Sequence, residues 1–254
     1  MIYTNLKNWT KEFLRNIKCN YLIIIGYMII LAIIILFHIR SGVFTHNVQS
    51  VADAFIYVSA YWFFGIEIMI LANFMLFNII KDDLRINSII KQKSRTLLWI
   101  KQVYKISLLS IFSSIWISLC TYFFEGLMTT HFINWNNVNS IYFKINKTVC
   151  SSISLNYVIT MFLLCSFIRI ILILTISLLI YWITNKKIIS WLFVVTLGFL
   201  EISVPIVCKV INIDYTAINS IYKLIIGFSY GIVLILIAII LGVILGKRKE
   251  FYYE

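Results

Sequence analysis

Six apolar runs divide the chain, at residues 21–39, 51–80, 106–128, 157–183, 188–207 and 224–245, each bounded by charged or polar clusters. At ~1.5 Å of rise per residue the shortest covers roughly 28 Å as a helix, about the thickness of a bilayer's hydrocarbon core. The runs are unbroken, whereas a spanning sheet barrel shows segments of about ten residues that alternate apolar and polar. The pattern therefore predicts an all-α membrane protein with six transmembrane helices. Ahead of them, residues 1–18 read as an amphipathic helix. Ile2, Leu6, Trp9, Phe13 and Ile17 fall within about 80° of one another on a helical wheel, and Lys7, Lys11, Arg15 and Lys18 take the opposite face. Such a helix lies along a membrane surface. No small-x-small cleavage site follows the first run before Arg40, so that run is read as a span and not as a cleaved leader.

The connection after the second run, residues 81–105, is both long and charged. It carries Lys81, Arg85, Lys91, Lys93, Arg95, Lys101 and Lys105 against Asp82 and Asp83, with Leu84, Ile86, Ile89, Ile90, Leu97, Leu98, Trp99 and Ile100 between them. This mixture predicts one or two short amphipathic helices. They would serve either as a docking surface for another protein or as helices held by lysine on anionic headgroups. The other long connection, 131–156, is rich in Asn and aromatic residues; it either caps the bundle or touches a substrate.

Composition agrees with the pattern: 61% of the 254 residues are hydrophobic and the mean hydropathy is +0.95, more apolar surface than a soluble domain of this size buries. The net charge of +12 would suggest nucleic acid in a soluble protein, but its distribution has another cause. Of the 22 basic residues, sixteen fall on the side that holds both termini and segment 81–105, five on the other, and Arg169 within a span. The positive-inside rule places both termini in the cytoplasm. The five cysteines have no CxxC spacing and the three histidines lie far apart, so neither a disulfide framework nor a metal site is expected.

Polar residues inside the spans are the candidate functional positions. Asp53, Ala60, Glu67 and Asn78 share one face of the second run to within about 40°, and such a stripe cannot face lipid. In the third run Ser107, Ser110, Ser114, Ser118, Thr121 and Glu125 share a face. Its small hydroxyl residues permit close helix packing, the simpler reading, or line a polar path. Arg169 falls near mid-depth of the fourth span, where an arginine costs several kcal/mol unless it is paired or hydrated. Glu67 and Glu201 are the candidate partners, giving an ion pair that sets helix register or a contact to a charged substrate. Pro205, the single proline, removes a helical hydrogen bond. It predicts a broken or re-entrant segment over 198–223, tolerable only where protein or water surrounds it. Gly227, Gly231 and Gly242 put a close-packing face on the last span.

Phosphate-binding loops of the GxxxxGK[ST] type, HExxH and GxSxG motifs are missing, so no catalysis is assigned to this chain. The order of parts nevertheless resembles the permease subunit of an ABC-2 type (type V) exporter, of the small six-span kind found in Gram-positive bacteria. The shared parts are an interfacial helix (1–18), then a six-span domain (19–254) with a charged inner loop, a disrupted outer end of the fifth span and a basic ending at Lys247–Phe251. Asp82, Asp83 and Arg85 match the family's charged loop start, Ser94 and Arg95 its Ser-Arg pair, and Lys101 its closing lysine; the family's glycine and proline are absent here. The resemblance implies that Asp82, Asp83, Leu84, Arg85, Ile86, Asn87, Ile90, Lys91 and Lys93 dock on a separate ATP-binding subunit. Two copies of that subunit would supply ATP and Mg, none being bound by this chain, and a second permease, identical or homologous, would complete the assembly in the bacterial plasma membrane. It also implies an amphipathic or lipophilic cargo such as a peptide, bacteriocin or drug. Two alternatives stand beside it: an ion-coupled carrier using Glu67, Arg169 and Glu201 as a relay, and a membrane sensor or immunity protein that moves nothing.

Overall fold

The computed structural model describes residues 2–83, 94–150 and 152–248. They form ten helices and, among the described residues, no strand. In chain order these are α1 (Ile2–Cys19), α2 (Tyr21–Phe44), α3 (Val51–Val58), α4 (Tyr61–Ile79), α5 (Arg95–Met128), α6 (Ile141–Asn146), α7 (Leu155–Thr184), α8 (Lys187–Ser203), α9 (Tyr215–Asn219) and α10 (Ile221–Arg248). Five of them, α2, α4, α5, α7 and α10, are long and apolar enough to cross a membrane, and the chain is an all-α multi-pass membrane protein. The fifth apolar run ends sooner than its hydropathy predicts: α8 has 17 residues and stops at Ser203, two residues before Pro205.

Packing is centred on α7, which touches α4, α5, α8 and α10 and buries Phe162, Ile170, Leu172, Ile173, Leu174 and Leu178. Helix α10 is held against α5 and α7 at glycines. A Cβ on Gly242 would lie 2.0 Å from the Trp99 indole, one on Gly231 2.5 Å from Ile168, and one on Gly227 2.9 Å from the Val210 carbonyl. The close-packing face is thus used within the chain. Trp99 also donates its indole N–H to the Ile239 carbonyl at 3.1 Å, locking α5 to α10.

Two expected elements are differently built. The second apolar run is not one helix, because α3 and α4 are separated at Ser59 and Ala60, where Ala60 is extended (φ −50°, ψ 130°). A π-type turn over Phe64–Ile68 follows, so Asp53, Glu67 and Asn78 do not share one stripe. Residues 95–105, expected as part of a separate loop helix, are the opening turns of α5, whose 34 residues reach ~51 Å, well beyond a bilayer core. Ser94 caps that helix, its hydroxyl accepting the Leu97 N–H at 3.2 Å.

The connection between α5 and α7 closes one end of the bundle. Trp135 and Tyr142 are buried and stack at 5.0 Å between ring centroids. Asp53 ties them down: one carboxylate oxygen accepts the Trp135 indole N–H and the Tyr215 hydroxyl, both at 2.8 Å, and the other accepts the Ser50 hydroxyl at 2.9 Å and the Gln49 N–H at 3.2 Å. His131 and Phe132 contribute carbonyls that accept the N–H groups of Val51 and Ala52, each at 3.1 Å.

Candidate functional site

Near the middle of α7, Arg169 is fully buried, and every nitrogen of its guanidinium is used. Nε donates to the Ile211 carbonyl, Nη1 to the Ser59 carbonyl at 2.8 Å, and Nη2 to the Cys208 carbonyl and Asn212 Oδ1, both at 2.6 Å. The Phe64 ring lies 5.0 Å from the guanidinium carbon, adding a cation–π contact. These acceptors belong to two interruptions of helical structure, the break at Ser59 and the segment 204–214. Helix breaks leave carbonyls without partners, which inside a bilayer costs several kcal/mol per group. A planar fork of five N–H donors is suited to collecting them.

Segment 204–214 is correspondingly re-entrant. After α8 ends it turns back into the bundle, where Cys208 and Ile211 are buried beside Gly65, Gly227 and Gly231. Its N–H groups are collected from the other side by Glu201, whose buried carboxylate accepts from Ile206 at 3.3 Å, Cys208 at 2.8 Å, Lys209 at 3.0 Å and also Val207. The expected pairing of Arg169 with Glu67 or Glu201 is therefore corrected. Glu201 and Arg169 hold opposite polar edges of one peptide segment, and no ion pair forms between them. Peptide dipoles lie between the two charges and satisfy both.

Glu67 lies on the π-type turn, half-buried, with no hydrogen bond or ion pair among the described residues. Asn78 is half-buried and donates to the Phe74 carbonyl at 2.9 Å. The hydroxyl stripe of α5 is turned back on its own helix. Ser110, Ser114 and Thr121 are buried and donate back to carbonyls of their own helix at 2.8, 3.0 and 2.8 Å, and Ser118 is buried among them. Glu125 ends the stripe fully buried, and neither carboxylate oxygen has a partner among the described residues.

At the basic end of the bundle, Lys101 and Lys105 point inward from α5, one turn apart. Lys101 meets Glu12 and Asp83, both at 2.8 Å, and Lys105 meets Asp83 at 2.7 Å and Glu12 at 3.7 Å. This node welds α1 and the start of segment 81–105 onto α5. Two hydrogen bonds extend it, from Asn16 Nδ2 to the Ile79 carbonyl at 3.0 Å and between the hydroxyls of Thr10 and Tyr104 at 2.8 Å. Burial pushes the Glu12 carboxyl up, but its hydrogen bond to Lys101 and the charges of Lys105, Lys101 and Arg15 outweigh this and hold it below the usual range. Asp83 is buried in the node, so its carboxylate faces the bundle and does not present itself to a docking subunit as expected. Leu84, Arg85, Ile86, Asn87, Ile90, Lys91 and Lys93 lie outside the described residues.

Sequence reading missed Ser59, Asn212, Glu12 and Lys105. Of these only Lys105 left a signal, being one helical turn from Lys101 on α5. Among the described residues no cluster of His, Cys, Asp or Glu could hold a metal, and the described cysteines are free thiols. No protein-family model, curated protein or solved structure matches the chain.

Proposed function

We propose that this chain is the permease half of an ATP-driven exporter, working with a separate ATP-binding subunit to move an amphipathic or lipophilic cargo. The observation that supports this most is the Glu12–Lys101–Asp83–Lys105 node. It fastens both flanks of the basic segment to the surface helix α1 and to α5. A force applied to residues 84–93 from the cytoplasm would reach α1, α4 and α5 together, as energy coupling to a separate motor requires.

Glu67 adds to the reading. A half-exposed carboxylate without a partner among the described residues is not stable against lipid chains in a spanning helix, so that face of α4 would be covered by a second permease or line a hydrated path. The ion-relay alternative loses two of its three residues, since Arg169 and Glu201 are fully occupied in holding segment 204–214.

A photo-crosslinking amino acid at Asn87 or Ile90, activated in native membranes, tests the proposal. Capture of a protein carrying a GxxxxGK[ST] loop supports it. Crosslinking to lipid alone counts against it and favours a surface-lying segment.

A further inference from the structure

Where α4 and α8 meet at the basic end of the bundle, a groove of about 410 Å³ opens at the surface. Phe74, Phe77 and Trp191 line it toward the middle of the two helices, while Asn78, Lys81 and Lys187 line it toward the basic end. Along both helices the lining changes from aromatic to cationic in the same direction. On α4 the order is Phe74, Asn78, Lys81, and on α8 it is Trp191 and then Lys187, the first residue of that helix.

Both lysines are exposed, and neither forms an ion pair among the described residues. Lys186, which precedes α8, provides no side-chain cap. The free N–H groups of the first turn add positive potential at the same end.

We infer that this groove is a binding site for one anionic phospholipid, its phosphate between Lys81 and Lys187 and an acyl chain along Phe74, Phe77 and Trp191. The gradient from cation to hydrocarbon matches such a molecule along its own length. A zwitterionic headgroup would bring a third cation to a site that already has two. Elsewhere on the chain an apolar groove is lined by Ala32, Trp116, Leu119 and Phe123 without any charged residue, so a headgroup is specified at the α4–α8 groove alone of these two. Because Lys81 opens the basic segment, a lipid held here fixes the point where that segment leaves the membrane.

Native mass spectrometry of the full chain, released from nanodiscs holding equal phosphatidylglycerol and phosphatidylcholine, tests the site. Wild type should retain phosphatidylglycerol preferentially. Lys81→Gln with Lys187→Gln should lower that retention on the order of tenfold, and Lys81→Arg with Lys187→Arg should keep it. Trp191→Ala should weaken retention with charge unchanged, while Lys144→Gln with Lys209→Gln at the other end should not alter it. Both test lysines are exposed, so the variants fold, and their melting curves verify it. Equal retention by wild type and the glutamine pair, or equal binding of the two lipids, overturns the proposal. Displacement of the lipid by millimolar inorganic phosphate also overturns it, since a bare anion would then suffice.

Discussion

Arg169 and Glu201 grip one residue from opposite sides: the Cys208 N–H donates to Glu201 at 2.8 Å, and the Cys208 carbonyl accepts from Arg169 at 2.6 Å. Each charge is stabilised by the dipoles it satisfies, and together they hold a non-helical segment inside an apolar bundle.

Loss of either grip should release segment 204–214. In a background with the other cysteines changed to alanine, Cys208 is buried and should resist a membrane-permeant maleimide. Arg169→Lys and Glu201→Gln should each make it reactive and cost about 3–5 kcal/mol of stability. Lysine cannot replace the fork, since it lacks the planar set of donors. The charge swap Glu67→Arg with Arg169→Glu should give no rescue, and recovery of thermal stability in that double variant would restore the direct-pair interpretation.

Glycines of the long helices should respond by location, Gly242 on α10 against Gly26 on α2. Gly242→Ala drives a methyl into the Trp99 ring and should cost about 1–3 kcal/mol, with a change in tryptophan fluorescence. Gly26→Ala meets nothing within 4 Å and should be neutral or mildly stabilising. Thermal melting in mild detergent reads both, and equal losses would contradict the packing described.

Acid should undock α1. The Glu12 carboxyl is held below its ordinary value of 4.5, so its contribution is complete above that pH and is lost as pH falls through the lower value of the folded protein. Protection of the α1 amides, taken relative to their intrinsic exchange rates, should be high at pH 7 and fall once the pH drops below 4.5. Glu12→Gln should show faster exchange already at pH 7, and a flat profile in wild type would contradict the node.

Asp83 and Asp82 should part company. Asp83→Asn leaves two buried lysines with Glu12 alone and should cost about 3–5 kcal/mol. Asp82→Asn should be far milder, because that residue is only half-buried. Melting curves of the two variants compare the fully buried acid with the half-buried one.

How much of this was legible in the chain differs from element to element. The apolar runs and the amphipathic character of α1 are properties of local pattern, and Pro205 marked the end of α8 by removing a local hydrogen bond. The break at Ser59 has no glycine or proline beside it, and the group that satisfies its carbonyl is the guanidinium of a residue 110 positions on. Arg169 and Glu201 were visible as buried charges. Their partners were not, because peptide groups carry no signature in sequence, and a rule that pairs charge with charge overlooks them. Lys101 and Lys105 read as surface charge until Glu12, from a distant helix, was brought alongside.

The central claim is that a separate ATP-binding subunit drives this chain. It is tested most directly by purifying the tagged protein from native membranes in mild detergent, identifying companions by mass spectrometry, and assaying ATP hydrolysis. The account predicts a stoichiometric partner with a phosphate-binding loop and an ATPase activity lost when residues 84–93 are altered. Recovery of the chain alone, without nucleotide-binding companion or ATPase activity, would contradict it.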